Sequence, residues 1–297
     1  MAIQIHNPYR NESLPWHKGN LHTHSSRSDG DRDPQTVIDQ YAALGHSFLM
    51  LSDHDVLTDV AGLDPRGMVV IPGNEITDHG PHILHVDARS PLEPRPNRQR
   101  VLDAVARGGG FSIICHPNWE KNFNHCPQND LERWRGYLGI EVYNGVVAFL
   151  EGSPFATDRW DMLLSRGRRI WGYANDDSHW APNVGLAWNV VQCDELRADS
   201  ILEALREGQF YASTGVTIDR IEVSDHTICV RAPDAQRIVA YADHQRRVAV
   251  ADGQEIALHV DDACASAPGA RMSYVRFECW GSGESIAWTQ PFFLERS

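Results

Sequence analysis

The chain alternates short apolar runs with longer stretches in which apolar residues recur at helical spacing. "SFLMLS", "GMVVIPG", "PHILHV", "FSIIC", "LGIEVYNG" and "RRIWGYA" read as strands. Between and after them, "QTVIDQYAAL", "NRQRVLDAVARGGG", "PFATDRWDMLLSRG" and "DSILEALREG" read as helices, the last following the strand-like "VGLAWNVVQ". Asp33 and Pro34 predict a helix start, as N-cap and first helical residue, and Gly45 predicts its stop. This alternation predicts an α/β unit of parallel strands. After about residue 215 the pattern shifts to short β-branched runs separated by polar turns, with no amphipathic helix and with "APDAQ" and "CASAPGA" as loops. The expected division is residues 1–212 as α/β and residues 213–297 as an appended all-β, sandwich-like module.

The polar residues that close the predicted strands are unusual. In "GNLHTHSSRSDGDRDP", His22 and His24 share one face of an extended chain, because strand side chains repeat every two residues. His54, Glu75, His82 or His85, His116, Asp177 and His179 follow or flank other strands, and Asp29 follows the first pair. Taken singly, His116-Pro117-Asn118 is a strand-ending turn and Asp176 to His179 a solvated loop. Independent surface loops have no reason to collect such residues at one end of a repeat. Barrel active sites are assembled there, so closure into a barrel is preferred to an open sheet. Imidazoles mixed with carboxylates suit zinc, manganese or iron. Nine such groups overfill one ion and suit two or three that share a carboxylate.

Composition narrows the partners. The 42% hydrophobic and 23% charged fractions are those of a soluble globular chain, and no run approaches the ~20 apolar residues of a membrane span. The first residues lack a basic start and apolar core, so a cytoplasmic location is expected and the acceptor triplet at Asn11 carries no meaning. Six scattered cysteines form no framework and are expected to be reduced. A net charge of −13, with Lys18 and Lys121 the only lysines, argues against long nucleic acid.

The ordered set H-x-H, S-D-G, D-H-D, G-N-E, H-I-L, H-P-N and D-S-H, over residues 17 to 210, resembles the PHP (polymerase and histidinol phosphatase) superfamily. The "WHKGNLHTHSSRSDG" start and β-rich tail look most like its carbaryl-hydrolase-like branch. The resemblance implies a distorted (β/α)7 barrel and a metal-dependent phosphoesterase using a hydroxide that bridges two or three divalent ions. It assigns His22, His24, Glu75 and Asp177 to one ion, Glu75, His82 and His116 to a second, and Asp29, His54 and His179 to a third. Asp55, Asp176 or His179 are candidates for moving protons. Arg27, Asn118, Lys121, Glu141, Asn144 and Arg159 are candidates for binding a small phosphoester, with Trp119 or Trp180 as apolar walls. Hydrolysis of a carbamate, ester or amide by the same centre is the enzymatic alternative, and a metal-binding scaffold the non-enzymatic one.

Overall fold

The fold is given by a computed structural model that describes residues 3–10, 14–266, 269 and 271–296. The triplet at Asn11 lies outside the described residues. Helix Pro34–Ala43 starts as expected: the Asp33 carboxylate accepts from the backbone N–H groups of Gln35 and Thr36, and Gly45 leaves the helix at φ +74°. Its buried face is Val37, Ile38 and Tyr41. Helix Arg98–Gly108 is capped by Asn97 and stopped by left-handed Gly109. Helices Thr157–Ser165 and Ala198–Glu207 match the other helical periods.

The chain is mixed α/β. Strands Trp16–Asn20, Phe48–Met50 and Val69–Ile71 pair in parallel. A second sheet runs Gly73–Ile76, Ile83–Val86, Phe111–Ile114, Gly139–Asn144 and Trp171–Asn175. Two isolated parallel bridges, Thr23 to Ser178 and His54 to Glu75, join the two sheets. Residues such as Leu21, Phe48, Leu84, Ile113 and Tyr173 from both sheets share one core.

The expectation of parallel strands fails at Ile83–Val86, which is antiparallel to both neighbours. Too few residues separate it from Ile76 for a crossover, which needs a dozen or more. The reversal carries His82, at the N-terminal end of its strand, to the same side as the C-terminal ends of the others. Trp188–Gln192 is also antiparallel, pairing with Trp16–Asn20 on one side and Phe210–Ser213 on the other.

Beyond Phe210–Ser213 the large sheet continues through Ile286–Thr289, Tyr274–Trp280 and Phe292–Arg296 to Ile3–His6. A three-stranded sheet, Arg220–Ser224, Thr227–Arg231 and Glu255–His259, buries Ile221, Ile228 and Val230 against Ile238, Phe277 and Phe292 of the large sheet. The helix-free expectation is corrected by Val260–Ala265, six residues that take in the start of the "CASAPGA" loop. This β-rich part is fastened by charge: Arg276, fully buried, donates to Asp161 at 2.9 and 2.5 Å and to Glu278 at 2.7 Å. All six cysteines are free. Among the described residues no helix is long and apolar enough to cross a membrane.

Candidate metal centre

Glu75, on strand Gly73–Ile76, is completely buried and faces five imidazoles. Its Oε1 lies 3.0 Å from His82 Nδ1 and 3.3 Å from both His22 Nε2 and His116 Nε2. Its Oε2 lies 2.9 Å from His54 Nδ1 and 3.6 Å from His24 Nε2. Asp177 Oδ1 approaches His24 Nε2 at 3.0 Å and His22 Nε2 at 3.2 Å. Asp29, on the loop after His24, reaches His54 and His179, each at 3.4 Å.

These ligand atoms fall into overlapping groups within ion-binding reach: His22, His24 and Asp177; His22, Glu75, Cys115 and His116; His82, His116 and His125; and His24, Asp29, His54 and His179. The residues suit a metal on two counts. Their imidazole and carboxylate donors are those of zinc, manganese and iron sites. Buried atoms among them, His22 Nε2, His24 Nδ1, His54 Nδ1 and Glu75 Oε2, crowd against one another without the alignment of a hydrogen bond, a costly state for a closed interior.

The local chain is built to hold this geometry. Backbone φ is +26° at His116 and +54° at Asp177, left-handed values that a non-glycine residue keeps only where its surroundings impose them. The His116 backbone N–H donates to Glu141 Oε2 at 2.9 Å, and the Asp177 N–H to the His22 carbonyl at 2.9 Å. Asp53, buried behind the site, accepts from Ser25 N–H at 2.7 Å and from the Ser25 and Ser28 hydroxyls, fixing the loop that carries Asp29.

Charge is polarised accordingly. Burial alone would lower His22, but Asp177, Glu75 and Glu141 outweigh it and raise its pKa well above the usual value. His54 is likewise pulled down by burial yet raised to about 10 by Asp29 and Glu75. Burial pushes Glu75 and Asp177 up, and the surrounding imidazoles hold both well below the carboxylate range.

The remaining expected residues divide. Glu141 and Asn144 stand behind the ligands: Glu141 Oε1 meets His22 Nδ1 at 2.8 Å, and Asn144 Nδ2 donates to Glu141 and to Asp177. His179, Trp119 and Trp180 line a cleft of about 250 Å³ over the centre. The other candidates are not brought to it. Asp55 accepts from the Thr77 and Asp78 backbone and the Thr77 hydroxyl. Asp176 is buried under Tyr41 and the N–H groups of Gly185, Leu186 and Ala187, and burial raises its pKa to about 6 against those donors. Arg159 is occupied by Asn118 and the Phe123 carbonyl, Asn118 by Phe155 and Asp158, and Lys121 by Glu151, while Arg27 is exposed away from the lining. His85 lies level with Asn74 and Ser112, on the strand face opposite Leu84.

Sequence reasoning missed Cys115 and His125. His125 Nε2 accepts from the His82 backbone N–H at 3.1 Å, and its Nδ1 meets Glu120 at 2.9 Å. It sits in an irregular loop with no strand pattern to mark it; Cys115 was detectable as the neighbour of His116.

Residues 164–210 match a family described as PHP-associated. No curated protein sequence matches the chain. Among solved structures, a two-domain protein from Bacteroides vulgatus, containing a predicted PHP-like metal-dependent phosphoesterase, superposes with a TM-score of 0.54 at 16% identity, covering 98% of this chain and 91% of that one. The two share a fold. An amidohydrolase from Chromobacterium violaceum gives a TM-score of 0.39 at 18% identity, over 55% of this chain and 87% of that one. A lesion-specific endonuclease from Pyrococcus furiosus gives 0.48 at 14% identity, over 65% and 56%.

Proposed function

We propose that the chain is a metal-dependent hydrolase of small phosphoesters, related to the PHP phosphoesterases. In this reading residues 1–212 form a distorted seven-stranded (β/α) barrel, supported by the two bridges that join its sheets, and residues 213–297 form the β module. The observation that carries the reading is Glu75, a buried carboxylate with imidazoles gathered on both oxygens. That is the arrangement of a carboxylate shared between cations.

Two or three divalent ions, manganese, zinc or iron, would be held by His22, His24, Glu75 and Asp177, by Glu75, His82 and His116, and by Asp29, His54 and His179. When bound, such ions polarise a phosphoryl oxygen and lower the pKa of water. The chain's own groups orient and exchange protons. Glu141 accepts from His22 Nδ1, so Nε2 faces the centre, and Asn144 holds Asp177. His179 Nδ1 donates to the Asp177 carbonyl at 2.8 Å, which turns Nε2 outward. That Nε2 lies 3.4 Å from Asp29, where it would help hold a third ion or, with that position empty, would be the group placed to give a proton to the leaving oxygen.

The lining of the cleft favours a second reading. It contains no Lys or Arg among the described residues, which suits a neutral carbamate, ester or amide, as in the carbaryl-hydrolase-like branch. Metal analysis after loading with manganese, zinc or iron, run beside p-nitrophenyl phosphate, its diester, p-nitrophenyl acetate and an aryl carbamate, tests both. Several ions per chain with phosphoester turnover is expected. Less than one ion per chain overturns the proposal, and carbamate turnover exceeding phosphoester turnover promotes the second reading.

A further inference from the structure

One wall of the cleft is apolar. Trp119, Val146, Val147, Leu150 and Trp180 line a cleft of about 250 Å³ together with Asp29, His179 and the buried ligands. Leu150 is 45% and Trp180 38% exposed, so large apolar surface stands in water at the mouth, directly beside the centre. Exposed apolar surface that adjoins a polar site marks a place where something binds.

This wall is fixed to the centre. Trp119 stands edge-on to His116 at 5.0 Å between ring centroids. The turn Val146–Phe149 is pinned by Val146 N–H to the Asp176 carbonyl and by Val147 N–H to Asn144 Oδ1. The same Asn144 donates through Nδ2 to Asp177 at 3.1 Å. One amide thus sets the distance between the apolar wall and a metal-facing carboxylate.

The wall also lacks a partner for charge. Arg159 and Lys121 are engaged by Asn118 and Glu151, and Asp29 stands at the rim with its side chain 55% exposed. A second anionic group at the outer end of a bound ester would meet Asp29 and apolar side chains, with no Lys or Arg in the lining to pair it, an unfavourable placement.

We infer that the cleft selects an ester whose leaving group is flat, apolar and uncharged, of about one or two rings, since its volume is below the roughly 300–1,000 Å³ of drug-sized pockets. The inference rests on the proposed function only for the anchoring of the phosphoryl end at the centre.

Non-hydrolysable phosphonates separate the two claims. Calorimetric titration of the metal-loaded protein should give benzylphosphonate a Kd about tenfold or more below that of methylphosphonate, and 4-carboxybenzylphosphonate should lose most of that gain. Leu150→Ala and Trp180→Ala should bring benzyl and methyl compounds towards parity, and Trp180→Phe should restore the preference. Parity in the unaltered protein, tighter binding of the carboxylated compound, or an unchanged preference in both alanine variants overturns the inference. Absence of all phosphoester hydrolysis with the benzyl preference intact removes the proposed function and leaves this one standing.

Discussion

His22 Nδ1 lies 2.8 Å from Glu141 Oε1, with both side chains wholly buried. A carboxylate outside the ligand set therefore decides which nitrogen His22 turns towards Glu75 and Asp177. Such partners typically change metal affinity by about 10–100-fold when removed. Glu141→Ala should weaken binding of the most tightly held ion by that range, and Glu141→Gln by less, because an amide oxygen still accepts the Nδ1 proton. Competition with a chromogenic chelator reads the affinity, and circular dichroism should show the fold retained.

Glu75 and His85 sit on adjacent strands but face opposite ways. Glu75→Gln removes the charge shared by the surrounding imidazoles and should cost at least about 100-fold in kcat/KM, with loss of bound metal. His85→Ala should leave metal content unchanged. An equal or greater loss at His85 would move the ligand assignment away from His82.

Acid should destabilise the metal-free protein through buried imidazoles outside the centre. Burial lowers His46 to about 3 and His85 to about 4. In the unfolded chain both take up a proton near pH 6.5, so the unfolded state binds more protons below that point. Their contribution to stability is complete above about pH 6.5 and is lost as pH falls towards these lowered values. Urea unfolding at pH 7, 6 and 5 should show the decline, and His46→Phe or His85→Phe should each flatten it.

Asp161 ties helix Thr157–Ser165 to the β-rich part, accepting from Arg276 and from the Tyr274 hydroxyl at 2.7 Å. Asp161→Ala leaves a buried guanidinium without its main partner and should cost about 3–5 kcal/mol. Replacing all three charges together, Asp161→Leu with Arg276→Met and Glu278→Leu, should recover much of the loss, because Glu278 also pairs with Arg276. Denaturant midpoints of the two variants and the unaltered protein check this.

The candidate ligands were legible because most of them end or flank a strand, and the His22/His24 alternation needs no tertiary information; Asp29, on the loop after His24, stood out only by its motif. His82 and His85 could not be separated that way. They share one run, and only antiparallel pairing against Gly73–Ile76 decides which of them meets Glu75. Charge type was visible at Lys121 and Arg159, but not direction, and their nearest acceptors lie in loops with no period. Val146, Val147 and Leu150 follow the strand-like "LGIEVYNG" with no period of their own to mark them, and Val146–Phe149 coil into a short turn that lines the cleft. Helix Val260–Ala265 escaped because six residues hold less than two turns, too few to display a face.

The two seams between the sheets run through the ligands themselves. At one, His24 N–H donates to the Ser178 carbonyl and Asp177 N–H to that of His22; at the other, Glu75 N–H donates to Ser52 and Asp55 N–H to Glu75. Each seam is a single bridge wide. Ions spanning them would act as rivets, so loading should be read as a mechanical event as well as a chemical one. Stripping the metals should hasten deuterium uptake at the amides of His24, Glu75 and Asp177, while Ile113 and Ile140, in the continuous ladder between Phe111–Ile114 and Gly139–Asn144, stay protected. A chain so stitched would couple the joining of its two sheets to the occupancy of its candidate metal centre.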